Sequence, residues 1–201
     1  MKSLRELFDL RHKKALRMVL LLLSTILIGS VSAAVYYQLS NRTLVTVTKP
    51  LVTFCITGCA TGPNPADSTA AGAALGTNNT YVRLTGIKAY PNATAVYERA
   101  IGIQNTDSAA HNINLRSSSI SGTSTSFSTI SVSIVNTSDV NQGGTITYTG
   151  GGSWTTTGSP TTAVSLGAST TWYLRIEAKA TASNTLPADV ATIVLFVEVV
   201  P

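Results

Sequence analysis

This 201-residue chain is poor in charge, in aromatic side chains and in the residues that carry acid–base or metal chemistry. Only 11 % of its residues are charged and 6 % aromatic, and it holds two cysteines and two histidines. The formal charge of +5 misrepresents the bulk of the chain. Residues 1–33 hold six Lys/Arg against two Asp/Glu, whereas residues 34–201 hold eight against seven. No basic patch is left for nucleic acid. The sequence has no Walker loop, dinucleotide fingerprint, Gly-x-Ser-x-Gly elbow or metal-binding histidine pair. His111, in Ala-Ala-His-Asn, reads as a solvated turn residue rather than a catalytic base. The seven later carboxylates are scattered, and Glu98 and Glu177, beside Arg99 and Arg175 on strand candidates, read as exposed cross-strand ion pairs. We expect no enzymatic activity, no cofactor and no metal.

What is present begins at the N-terminus. Arg11, Lys13, Lys14 and Arg17 form a basic region, Met18 to Ile28 is almost wholly apolar, and Gly29-Ser30-Val31-Ser32-Ala33 supplies small residues. Val31 and Ala33 fit the −3 and −1 positions of a signal-peptidase site. Residues 1–33 therefore read as an export signal cut between Ala33 and Ala34, and the protein as secreted. Two rivals stay open. Met18 to Val35 is close to the length of an uncleaved membrane anchor, and a type IV pilin-like signal would be cut before the apolar helix. Cleavage after Ala33 frees Ala-Val-Tyr-Tyr-Gln-Leu, an alternating strand over residues 34–42 with Val35, Tyr37 and Leu39 on one face and Tyr36 and Gln38 on the other.

Outside the cell, Cys55 and Cys59 are expected to pair as a disulfide. Their spacing demands a turn, which Gly58 can supply, because four extended residues would hold the Cα atoms ~13 Å apart. Asn41, Asn78, Asn92 and Asn136 each open an Asn-x-Ser/Thr acceptor sequence and are candidates for N-glycosylation. Of the tryptophans, Trp172 reads as a core anchor and Trp154, beside Gly150-Gly151-Gly152, as a surface candidate for binding carbohydrate.

Beyond residue 40 no helical periodicity is sustained. Thr, Ser, Val and Ile dominate, punctuated by Gly, Asn and Pro, as in a multi-stranded sandwich. Strands are expected within 43–54 (interrupted at Pro50), 81–89, 95–104, 112–119, 127–135, 145–148, 164–166, 172–178 and 191–200, with 58–79 a loop. Val96, Ala100 and Ile103 are expected near the core. Trp172, Leu174 and Ile176 are expected opposite Tyr173, Arg175 and Glu177, and the last strand to be buried on both faces. The fold class is thus all-β, an antiparallel β-sandwich, jelly-roll-like or immunoglobulin-like, over residues 43–201 after an N-terminal signal helix.

The order of export signal, Ala34-Val35-Tyr36-Tyr37 and a sandwich containing Ile-Gly-Ile-Gln-Asn-Thr-Asp-Ser resembles the TasA/camelysin-like secreted fibre proteins and the archaeal bundling pilins related to them. The resemblance implies a filament subunit that polymerises by donor-strand complementation. The N-terminal strand of one copy would fill a groove in the next, giving a head-to-tail homopolymer capable of lateral bundling. The protein would then be an extracellular filament or cell-surface structure that meets the membrane only during export. Camelysin's link to peptidase activity does not carry over, since no His-Glu-x-x-His is present. The competing expectation is a monomeric cell-surface module that binds glycan or a partner protein.

Overall fold

The computed structural model describes residues 14–25, 50–88, 90–91, 93–181 and 190–201, and the chain divides into two units, Met1–Thr48 and Lys49–Pro201. In the first unit, residues 14–25 form a helix whose leucines, Leu20 to Leu23 among them, are exposed. Apolar residues not branched at Cβ lose little rotamer freedom in a helix. Among the described residues no helix is long and apolar enough to cross a membrane. The expected cleavage site at Ala33 and Ala34, the strand Val35 to Leu39, and the acceptors Asn41 and Asn92 lie outside the described residues.

The second unit is a sandwich of two antiparallel sheets. Its strands are β1 (Val52–Cys55), β2 (Ala73–Leu75), β3 (Tyr81–Lys88), β4 (Thr94–Asn105), β5 (His111–Ser121), β6 (Phe127–Val135), β7 (Asn141–Thr149), β8 (Thr155–Thr157), β9 (Val164–Leu166), β10 (Thr171–Ala180) and β11 (Val190–Val200). One sheet has the order β1-β4-β10-β6-β7-β8, the other β2-β3-β11-β5-β9. The cause is visible in the alternation. Ile130, Val132 and Ile134 of β6, Leu174, Ile176 and Ala178 of β10, and Ala191, Ile193 and Leu195 of β11 are all fully buried at every second position. They form one continuous core between the layers.

Departures from strict alternation have local causes. Between Ile101 and Tyr97, β4 carries three residues where β10 carries one, since Leu174 faces Ile101 and Ile176 faces Tyr97. Val96 is 42 % exposed, against the expected core position, because it alternates with the inward-facing Tyr97, while Ala100, Ile101 and Ile103 stay buried. Strand β11 is buried on one face only: Val194 and Phe196 of its other face are half-buried and Val199 is exposed. The expected loop 58–79 contains β2 and a short 3-10 turn, Thr77–Asn79.

Tyr173 lies on the face opposite Leu174 and Ile176, as expected, and is fully buried because a segment far away in sequence roofs that face. Its hydroxyl donates to Pro63 O (2.9 Å), Thr61 and Thr171 share a hydroxyl bond of 2.6 Å, and the Ala60 N–H donates to Gln104 Oε1 (2.8 Å). Cys55 and Cys59 are disulfide-bonded at the start of this roof, with Cα atoms 5.5 Å apart. The bridge lies directly over β4 at Gly102, where an added Cβ would fall 2.5 Å from Cys55 Sγ. Trp172, on the other face, packs against the core as expected.

Candidate functional site

A sandwich has two lateral edges, and backbone groups there need partners. On one edge β5 and β7 are joined by the link from β8 to β9. The Thr161 N–H donates to Leu115 O (2.9 Å), the Leu115 N–H to Thr161 Oγ1 (3.0 Å), and the Ser117 N–H to Ser159 Oγ (2.8 Å). Thr161 is 6 % exposed. Tyr148 of β7 crosses the layers beneath this link, its hydroxyl donating to Ser117 Oγ (2.9 Å). Burial pushes the Tyr148 phenol up to about 12, against the opposing pull of that hydrogen bond.

The opposite edge, between β3 and β4, is covered only in part. Strand β1 pairs with residues 102–105 of β4, and β2 with residues 82–84 of β3. The roof then adds a few bonds: the Gly86 N–H donates to Ala71 O (2.9 Å), the Thr85 N–H to Gly72 O (3.1 Å), and the Asp67 N–H to Arg99 O (3.1 Å). Asp67 Oδ2 accepts the Arg99 N–H (3.1 Å). Beyond these, residues 94–98 of β4 have no strand partner on the side away from β10 among the described residues.

A groove of about 280 Å³ lies along that stretch, lined by Asp67, Ala70, Lys88, Tyr90, Ala95, Val96 and Tyr97. Tyr97 is its floor and ties the layers together, as Tyr148 does opposite. Its hydroxyl donates to Gly86 O and accepts the Lys88 N–H, both at 3.0 Å. Burial raises the Tyr97 phenol, and the Lys88 bond lowers it by less. Tyr90 and Val96 on the walls are each 42 % exposed. Lys88 is exposed and has no ion pair among the described residues. A free lysine beside an open strand edge discourages indiscriminate pairing. The arrangement offers an extended peptide two things at once: strand backbone with no strand partner among the described residues, and a trough in which Tyr90, Val96 and Tyr97 stand beside Asp67 and Lys88.

The residues singled out for chemistry fall elsewhere. His111 opens β5 rather than sitting in a solvated turn, and its Nε2 lies 2.7 Å from Asp107 Oδ2. That bond, with the Ser108 N–H, holds the Asp107 carboxyl below its ordinary range. Glu98 and Glu177 do flank Arg175, at 3.0 Å each. Arg175 Nε approaches Glu98 without the alignment of a hydrogen bond, so charge rather than a directed bond holds that pair. Trp154 is not a surface platform: its ring packs 5.6 Å from Phe127 and its indole N–H donates to Gly122 O (3.1 Å). Among the described residues no cluster of His, Cys, Asp or Glu could hold a metal ion.

Sequence reasoning missed the groove because edge status depends on which strands end early, and β2 was hidden in a stretch of alanines. It also missed Asn105. Asn105 is fully buried. Its Nδ2 donates to Ala109 O (2.8 Å), Leu166 O (3.3 Å) and Gly167 O (2.9 Å), and its Oδ1 accepts the Asp107 N–H (2.9 Å). Comparison with protein-family models and with curated proteins finds no match for this chain.

Proposed function

We propose that this protein is a structural subunit of an extracellular filament, joined head to tail by strand addition. The strand Val35 to Leu39, with its neighbours in 34–42, would lie along residues 94–98 of β4 in the next copy. The observation that carries this is the contrast between the two edges: one sealed by its own chain, the other ending in a groove beside β4 backbone that has no strand partner among the described residues. An incoming strand satisfies the main-chain groups and places alternate side chains, Val35, Tyr37 and Leu39, against the trough. Such a contact is heterologous and does not close, so it propagates a fibre.

Geometry favours a second copy as the donor. Strand β1 meets β4 at its Asn105 end, while the groove lies some nine residues further along, ~30 Å at ~3.3 Å per residue. The chain preceding Val52 would have to reverse and run back across the roof to fill its own groove. The alternative, a monomeric module binding glycan or a partner protein, lacks the exposed Trp154 platform it relied on.

Negative-stain microscopy of the secreted, processed protein tests the proposal. Filaments are expected. Tyr37→Asp should abolish them while export continues, because it deletes the largest apolar side chain the strand would place in the groove, worth ~1.5–3 kcal/mol when fully buried. Tyr36→Asp, on the opposite face, should be milder. Stable monomers at high concentration, with Ala34 as the first residue, would overturn the proposal.

A further inference from the structure

Two of the four glycan-acceptor sequences lie within the described residues, and the fold treats them oppositely. Asn78 stands at the tip of the hairpin between β2 and β3, exposed, with φ +58°. Neither polar atom of its carboxamide has a hydrogen-bond partner among the described residues. The hairpin is also cheap to open. Strand β2 has three residues, none of them buried, paired in the sheet with Val82, Arg83 and Leu84, and the Ala73 N–H donates to Ser68 O (2.9 Å). Local opening of this kind draws on the least stable parts of a fold.

Asn136 is held through its side-chain oxygen and its backbone. Its Oδ1 accepts the Ser138 N–H (2.9 Å) and the Val140 N–H (3.1 Å), and its own N–H donates to Val140 O (3.0 Å). The same turn is clamped from β4. Arg99 Nη2 donates to Thr137 O (3.0 Å), and Arg99 Nε lies 3.3 Å from Asp139 Oδ1. Val135, immediately before Asn136, is 1 % exposed. Presenting Asn136 to an enzyme in extended form means breaking this network and drawing out a core residue.

We infer that Asn78 is the glycan acceptor of the described domain and that Asn136 is not, although both carry the acceptor sequence. The donor is a polyprenyl-phosphate-linked oligosaccharide, met after export. Asn78 Nδ2 bonds to the anomeric carbon and gives up one proton to the transferase's base. The bond from that carbon to the phosphate oxygen breaks, and the polyprenyl phosphate leaves with the electron pair. Asn78 lies off the Tyr81 end of β3 and the groove at the Lys88 end, about 23 Å away at ~3.3 Å per residue. A glycan there leaves the groove clear. The inference depends on export and not on filament assembly.

The test uses the folded full chain, a purified oligosaccharyltransferase and a polyprenyl-linked oligosaccharide, with occupancy of each site read by peptide mass spectrometry. Synthetic peptides 74–84 and 132–142 serve as unfolded references. Both peptides should be modified at similar rates, whereas in the folded chain Asn78 should be modified at least tenfold faster than Asn136. Arg99→Ala, which releases the Thr137–Asp139 clamp, should narrow that ratio, and Thr80→Ala should abolish modification at Asn78. Comparable occupancy of the two sites in the folded chain, an unmodified Asn78, or refusal of peptide 74–84 would each overturn the inference.

Discussion

The two lateral edges of this sandwich are built on one device and finished differently. At each, a tyrosine from the six-stranded sheet reaches across to the other layer: Tyr148 to Ser117 on one side, Tyr97 to Gly86 and Lys88 on the other. Over Tyr148 the chain lays Ser159 and Thr161, which take up the backbone of Leu115 and Ser117. Over Tyr97 it lays, among the described residues, only the end of the roof. The difference separates what holds the subunit together from what it leaves available. Perturbing the sealed edge should cost stability, and perturbing the open one should cost assembly.

The largest effect on stability is expected at the sealed edge. Tyr148→Ala removes a fully buried ring and should destabilise the domain by roughly 3–5 kcal/mol in denaturant unfolding, the range for deleting a large core aromatic. The less severe Tyr148→Phe sharpens the comparison through pH. The folded phenol, pushed up to about 12, is held neutral while the unfolded one ionises near 10. Its contribution is therefore complete below pH 10 and is lost as pH rises toward 12, on the order of 2–3 kcal/mol. Tyr148→Phe should flatten that alkaline loss, and an unchanged alkaline profile would mean another group is responsible.

An intermediate effect is expected at the roof. Reducing Cys55–Cys59 opens a very short loop, a loss of about 2 kcal/mol on the chain-entropy estimate. The release should be local, with hydrogen exchange rising at the amides of residues 56–67 and little changed at Leu115 and Ser117. Because the bridge lies within one subunit, mild reduction should leave finished filaments intact. A similar cost, about 1–2 kcal/mol, is expected for Thr161→Val, which keeps the shape of the side chain but leaves the Leu115 N–H unsatisfied.

The smallest effect on stability is expected at the open edge. Val96→Lys adds a cation at a 42 % exposed position facing Glu177 across the sheet. Its unfolding midpoint should stay within about 0.5 kcal/mol of the parent, as for most surface substitutions. The same change puts a second cation beside Lys88 in the trough and should stop assembly.

Much of the fold was legible in the sequence because its signal is local. The alternation in Phe127 to Val135 and the apolar run from Ala191 to Val200 declare strands whatever surrounds them, though the run did not show that only one face would be buried, and Gly58 made the Cys55–Cys59 turn readable. Burial set by distant segments was not legible. Nothing near Tyr173 announces that Pro63 will cover it, and nothing near Asn105 that Leu166 and Gly167 will arrive to accept its amide. Trp154 misled for the same reason, since Phe127 and Gly122 reach it from across a turn. The groove is the extreme case: it exists because β1 and β2 stop short, and a strand's ending carries no pattern of its own.

The central claim is that one edge accepts what the N-terminal strand donates. Mixing two defective subunits, each processed to begin at Ala34, tests it most directly. Tyr37→Asp spoils the donor and leaves the groove, while Val96→Lys spoils the groove and leaves the donor. Each alone should remain monomeric in sedimentation velocity, and an equimolar mixture should give a heterodimer that grows no further. If either variant alone formed filaments, or if the mixture stayed monomeric while the unsubstituted protein polymerised, the β3–β4 edge would not be the acceptor.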